Sequence, residues 1–167
     1  IGITPAESIE ALAAFQGVRR RLEVRGTVGG VTVIDDFAHH PTAIATTIAG
    51  LRARMQAGSH PGGRLLAVLE PRSNTMRTGT LKAQLPASLK DADLVFCYAG
   101  GIDWDAQASL APLGERVAVL RDMPALEAAI LAAARPGDQV LVMSNGGFGG
   151  IHGRLLTGLA SREGNGK

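Results

Sequence analysis

Leu65-Leu66-Ala67-Val68-Leu69-Glu70-Pro71-Arg72-Ser73-Asn74 is a run of five apolar residues that stops abruptly at a charged, proline-containing stretch. A strand with one wet face alternates apolar and polar side chains, whereas a strand apolar at every position is covered on both faces. The run is far too short to cross a bilayer, which takes about 20 apolar residues. It therefore reads as an interior strand of a parallel sheet sandwiched between helical layers.

Similar runs recur downstream at 94–98, 117–120 and 139–143. Helical spacing lies between them. Leu81, Leu85 and Leu89 fit one helix, with Pro86 expected to kink or shorten it. Leu126, Ala129, Ile130 and Ala133 fit another, ended by Pro136-Gly137, and a last helix starts near Ile151 before a polar tail at 162–167. Upstream, Thr4-Pro5-Ala6-Glu7 is a capping box, followed by Ile9, Leu12, Ala13 and Gln16 at helical spacing, with Gly17 as the stop. Leu22 to Arg25 and Val31 to Ile34 are β-rich and joined through Gly26-Thr27-Val28-Gly29-Gly30, the pattern of a hairpin. Pro41 then opens a helix with Ile44, Ile48, Leu51 and Met55 on one face. The expected fold is a Rossmann-like, doubly wound α/β domain with about six strands, mostly parallel, and one antiparallel edge strand.

Composition narrows the function classes. With 167 residues, 46% hydrophobic and 19% charged, the chain can build one core and is not intrinsically disordered. A net charge of +2 is too mild to suggest nucleic-acid binding without a concentrated basic face. The single Cys97 excludes a disulfide framework and a cysteine-built zinc site, and fits a reducing compartment. No signal-like or membrane-spanning segment is present, so a cytoplasmic location is expected. The start at Ile1-Gly2-Ile3, followed at once by a helix, reads as a piece of a longer polypeptide.

In open α/β sheets, ligands sit beyond the carboxyl ends of the strands. The chemically rich segments fall there: Asp35-Asp36-Phe37-Ala38-His39-His40, Glu70 to Arg77, Gly100 to Trp104, and Ser144 to His152. The opposite ends carry ordinary turns such as Arg135-Pro136-Gly137-Asp138. Four ionisable groups in the six residues from Asp35 to His40 suit acid–base work, hydrogen bonding to a sugar or, less readily, metal binding; helix capping is the plain alternative. Metal is the weaker reading because adjacent residues on an extended segment point in opposite directions. The run Arg19-Arg20-Arg21 is expected to be mostly solvated, although an arginine just before a strand is placed to reach phosphate. The glycine-rich segment at 146–153 reads equally as a tight strand-to-helix turn and as a weak phosphate cradle.

These motifs resemble the Mur ligases. Val33-Ile34-Asp35-Asp36-Phe37-Ala38-His39-His40-Pro41-Thr42 is similar to the Asp-aromatic-small-His-x-Pro segment of their C-terminal domain, and Arg20-Arg21-Leu22-Glu23 to their Arg-hydrophobic-Glu motif. Leu69-Glu70-Pro71-Arg72-Ser73-Asn74-Thr75-Met76 and the stretch from Met143 to His152 resemble the murein peptide ligase branch more closely. The resemblance covers residues 4–160 and implies a three-domain, ATP-dependent enzyme. Its partners would be the N-terminal and central domains of the same chain, with Mg2+ and most of the ATP site in the central one. Residues 1–161 would form the C-terminal domain. The implied reaction joins L-Ala-γ-D-Glu-meso-diaminopimelate to UDP-N-acetylmuramate through an acyl phosphate, in peptidoglycan recycling.

By that analogy Arg21 approaches the ATP phosphates and serves catalysis, and Asp36 binds the ribose. Phe37 and His39 would line the site of the incoming amine, with Arg72, Ser73, Asn74 and Asn145 on the peptide. The related alanine-adding ligases present a His-Arg pair where this chain has Arg72-Ser73-Asn74. The alternatives are such an alanine-adding enzyme, or a non-catalytic Rossmann-like binding module. A phosphoacceptor receiver domain does not fit, because the third strand ends at Glu70 rather than Asp and the last strand is followed by Ser144-Asn145 rather than lysine.

Overall fold

The computed structural model describes residues 2–14, 19–58 and 62–164. Its elements in chain order are α1 (Pro5–Ala14), β1 (Glu23–Val28), β2 (Val31–Asp36), α2 (Pro41–Ala57), β3 (Leu65–Leu69), α3 (Asn74–Arg77) and α4 (Leu85–Leu89). They continue with β4 (Leu94–Tyr98), α5 (Ala106–Leu110), β5 (Val117–Leu120), α6 (Met123–Ala133), β6 (Gln139–Met143) and α7 (Ile151–Gly164). The six strands form one sheet in the order β1-β2-β6-β3-β4-β5. Only β1 runs antiparallel, at the edge beside β2, as expected.

The all-apolar β3 lies in the interior of that order, and its five side chains are fully buried. The pleat splits them between two cores. Leu65, Ala67 and Leu69 pack with α2, α4 and α5 through Ile44, Ile48, Leu51, Leu85 and Leu110. Leu66 and Val68 pack on the other face with Leu126 and Ile130 of α6 and Leu155 of α7. The strand pattern therefore reports two covered faces. At the edge, Gly29 and Gly30 (φ 58° and 73°) form the two-residue turn between β1 and β2, a conformation suited to a right-twisting hairpin.

Local signals explain most element boundaries. The capping box closes as read: the Thr4 amide donates to Glu7 at 2.8 Å and the Glu7 amide to the Thr4 hydroxyl at 3.3 Å. The Thr4 amide and the Thr4 hydroxyl (2.7 Å) both donate to the Glu7 carboxylate and hold that carboxyl below its usual range. The expected stop at Gly17, and Gln16, lie outside the described residues.

One expectation is corrected. Residues 81–89 do not form one kinked helix: a 3-10 turn at Lys82–Gln84 precedes α4, and Pro86 sits in the first turn of α4. A proline lacks the N–H that an interior helical position needs, so it starts the helix here rather than bending it. α7 continues through Gly164, and the Arg162 guanidinium donates to the Leu131 carbonyl.

Candidate functional site

The order β2-β6-β3 brings three loops side by side. Parallel pairing sets Asp36 beside Met143 and Leu69 beside Met143, so the segments after all three strands leave the sheet at one level. Backbone bonds extend the pairing: the Ser144 amide donates to the Asp36 carbonyl at 3.2 Å, and the Glu70 amide to the Met143 carbonyl at 3.1 Å.

Asp36 organises the first loop. It is 2% exposed, and its carboxylate accepts from the Leu22 amide (2.9 Å), the Ala38 amide (2.8 Å) and the Thr47 hydroxyl (3.3 Å). Phe37 follows, its amide donating to the Arg20 carbonyl at 2.9 Å. The guanidiniums of Arg20 and Arg21 lie 5.2 and 5.9 Å from the Phe37 ring centroid, and the His39 ring meets Phe37 edge-on at 5.3 Å. His39 Nδ1 lies 2.8 Å from the Phe37 carbonyl, which can only accept, so Nδ1 carries the proton and Nε2 of the neutral ring keeps its lone pair. His40 is exposed and stands at the N-cap of α2.

The three arginines of the run separate. Arg19 and Arg21 are exposed, and among the described residues neither is ion-paired. Arg20 is half-buried: Nε donates to Asp35 at 3.2 Å, and Nη2 donates to the carbonyls of Ser144 (2.6 Å) and Gly146 (2.9 Å). Sequence reasoning missed Arg20 because three consecutive identical residues carry no orientation signal. Asp35 also faces Arg25 at 3.8 Å and His152 Nε2 at 3.3 Å. Both acids of the pair are thus consumed internally. Among the described residues no group of three His, Cys, Asp or Glu side chains is placed to hold a metal.

The second and third loops meet through Ser144. Its hydroxyl donates to Glu70 and accepts from the Gly146 amide at 2.9 Å. Arg72 is exposed and, among the described residues, free of any ion pair, so the pairing with Glu70 that would make it merely structural is not formed. Ser73 precedes α3 without capping it, and Ser73 Oγ and Asn145 Oδ1 are buried with no hydrogen-bond partner. Asn74, the first residue of α3, is exposed. Arg72 opens onto a cleft of about 200 Å3 shared with Glu70, Arg77, Tyr98 and Gly101. Arg77 is oriented there by a 3.1 Å bond from Nε to the Gly101 carbonyl. A second cleft, about 450 Å3, holds Arg20, Arg25, Asp35, Gly146 and His152.

The segment after β6 is a tight strand-to-helix turn. It passes through a 3-10 turn at Phe148–Gly150, and Phe148 (φ 41°) is fully buried as an anchor against Tyr98, with centroids 5.8 Å apart. Trp104 is 7% exposed and donates Nε1–H to the Met76 carbonyl at 2.8 Å, so it covers the loop after β3. Cys97 is a fully buried strand residue, and burial pushes its thiol up to about 12.

Comparison with known proteins agrees with this geometry. The model of the Mur ligase, glutamate ligase domain, matches residues 20–146. The UDP-N-acetylmuramate--L-alanyl-γ-D-glutamyl-meso-2,6-diaminoheptandioate ligase of Escherichia coli K12 is 47% identical over 163 residues, which are 97% of this chain and 35% of that protein. A UDP-N-acetylmuramate--L-alanine ligase of Mycobacterium sp. (strain JLS) is 39% identical, across 97% of this chain and 34% of that protein. Among solved structures, a murein peptide ligase of Psychrobacter arcticus superposes with a TM-score of 0.76 at 39% identity, over 96% of this chain and 34% of that one. The chain spans about 35% of the length of the curated relatives it matches. With the matched region running from the arginines before β1 through the loop after β6, the chain belongs to the Mur ligase family.

Proposed function

We propose that this chain is the C-terminal domain of an ATP-dependent ligase that joins the tripeptide L-Ala-γ-D-Glu-meso-diaminopimelate to UDP-N-acetylmuramate, as part of cytoplasmic peptidoglycan recycling. N-terminal and central domains of the same protein would complete it, and residues 1–161 would fold as this unit. The observation that carries the reading is Arg72: an exposed guanidinium with no ion pair among the described residues, at the carboxyl end of β3, beside two buried unpartnered polar atoms. That is unused recognition capacity for a carboxylate-bearing, amide-rich ligand.

In this reaction ATP phosphorylates the lactyl carboxylate of UDP-N-acetylmuramate. The tripeptide's alanine amine attacks the acyl phosphate, the tetrahedral intermediate expels phosphate, and an amide remains. Charge develops on phosphoryl and carbonyl oxygens, so positioning and electrostatics supply the catalysis. Arg21, exposed and 5.9 Å from the Phe37 ring centroid, is a cation that would face the ATP phosphates. In the neutral ring of His39, Nε2 would be free to accept a proton from the incoming amine, with Phe37 as the wall beside it. Asp36 would reach a ribose hydroxyl only by replacing its longest bond, the 3.3 Å contact from Thr47; its other contacts set the loop. Because Asp35 and Asp36 are both engaged here, Mg2+ would be held mainly by the central domain.

Arg72 would fork onto a tripeptide carboxylate, with Ser73, Asn74 and Asn145 on its polar groups. The large relatives of both substrate types match this chain, but the loop reads Arg72-Ser73-Asn74, as expected for the peptide-adding reaction rather than the alanine-adding one. In the full-length enzyme, Arg72→Lys should raise the KM for tripeptide about tenfold or more, near the loss of one charge-assisted hydrogen bond. The KM values for ATP and UDP-N-acetylmuramate, and the melting temperature, should stay near wild type. Unchanged tripeptide kinetics with a lowered melting temperature would return Arg72 to a structural role.

A further inference from the structure

We infer that Gly146 is a positioning residue: its missing side chain seats the Arg72 guanidinium and turns the backbone at 144–146 into a fixed partition between the two clefts. The kinetic consequence rests on the reading of Arg72 as the peptide-binding cation.

The contact is close and specific. A Cβ on residue 146 would stand 2.7 Å from both Cδ and Cζ of Arg72 and collide with Nη1, so any side chain there must move the arginine. Gly146 is not among the glycines with positive φ, so alanine meets no backbone penalty, and the three atoms nearest to its Cβ all belong to Arg72. At Gly147, next along the chain, a Cβ would meet nothing within 4 Å. Proximity to Arg72 therefore distinguishes residue 146 from its neighbour.

The partition cannot retreat from Arg72, because it is held from behind. On the far side, Arg20 Nη2 donates to the carbonyls of Ser144 and Gly146, and Arg20 is itself held by Asp35. From within the turn, the Gly146 amide donates to the Ser144 hydroxyl, which donates to Glu70. Two guanidiniums that line different clefts thus meet the same residue: Arg20 by a hydrogen bond to its carbonyl, and Arg72 by packing where its Cβ would stand. An arginine without an ion pair would otherwise sample many rotamers and lose that freedom on binding. A rigid surface beneath it limits the loss beforehand. The path Asp35–Arg20–Gly146–Arg72 also ties the arginine run before β1 to the peptide cleft.

The test uses the full-length ligase with four variants: Arg72→Ala, Gly146→Ala, the double substitution, and Gly147→Ala as the matched control. Gly146→Ala should raise the tripeptide KM about tenfold, comparably to Arg72→Ala. The KM values for ATP and UDP-N-acetylmuramate and the melting temperature should not change. The double variant should be no worse than Arg72→Ala, because both changes remove one interaction. A crystal structure of Gly146→Ala should show the guanidinium displaced. The inference is overturned if the guanidinium stays in place, if the two effects multiply, or if Gly147→Ala raises the tripeptide KM equally. It is also overturned if Gly146→Ala binds tripeptide normally while Arg72→Ala does not. If Arg72→Ala itself leaves the tripeptide KM unchanged, the peptide-binding reading fails, and the displaced guanidinium then shows packing without a role in recognition.

Discussion

Asp35 is 3% exposed and faces Arg20, Arg25 and His152 at once, so its charge is the local counterweight to three basic groups. His152 is the titratable member within the physiological range. Burial lowers its pKa from 6.5, the nearby Arg25 and Arg20 push in the same direction, and Asp35 opposes them. Above 6.5 the imidazole is neutral in folded and unfolded chains alike, and it adds no slope to stability. As pH falls through 6.5 the unfolded chain takes up a proton that the folded one resists, so stability falls. The loss is complete once pH passes below the folded value. His152→Gln should therefore flatten the urea-midpoint profile between about pH 5 and 8, at its acidic end. Parallel profiles for the two proteins would show that His152 is not the group responsible.

A clasp at the amino ends of the strands stabilises the domain away from the chemistry. Asp138, 2% exposed, accepts from Arg64 Nε (3.1 Å) and Nη2 (2.6 Å) and from the Arg135 amide (2.8 Å). Arg64 also donates to the Ala133 carbonyl at the end of α6, and Asp138 holds the Arg64 guanidinium firmly protonated. One ion pair thus joins the starts of β3 and β6 to the end of α6. Asp138→Asn keeps the shape but points an amide donor at guanidinium donors. Breaking a buried pair costs about 3–5 kcal/mol, and partial exposure of Arg64 reduces that to roughly 2 kcal/mol. A melting temperature about 4–8 °C lower is expected, with tripeptide and ATP kinetics unchanged in the full-length enzyme. An unaltered melting temperature would mean that solvent replaces the clasp.

At this scale the sequence was legible wherever periodicity is strong. Runs such as Leu65 to Leu69 could only be doubly covered strands, and the loops at their carboxyl ends form the candidate site. Residues 74–89 were harder, because Gly79 and Pro86 divide them into turns too short to show a period. Arg20 and Gly146 were illegible for another reason. Their roles depend on the register of β2 against β6 and on which loops that register brings together, and no local pattern encodes either.

In the proposed ligase the whole domain would act as a positioning device. Its fixed parts are the sheet, the Asp36-organised loop and the Gly146 partition. Its exposed chemistry is Arg21, the free edge of His39, and Arg72. The 167 residues contain no G-x-x-x-x-G-K-[ST] phosphate loop, and the Asp35-Asp36 carboxylates are internally paired. Phosphoryl transfer needs the nucleotide, the metal and the acceptor oxygen held in line, and isolated cations cannot enforce that alignment. If the proposed function holds, residues 1–167 alone should neither hydrolyse ATP nor form the amide, while the full-length protein should do both under the same conditions. The same chain should retain its fold, since each face of its sheet has its own buried core. Phosphate release and product formation, measured beside a circular dichroism melt, check both halves. ATP-dependent amide formation by the 167-residue chain, free of full-length enzyme, would show that the catalytic alignment is built within this domain.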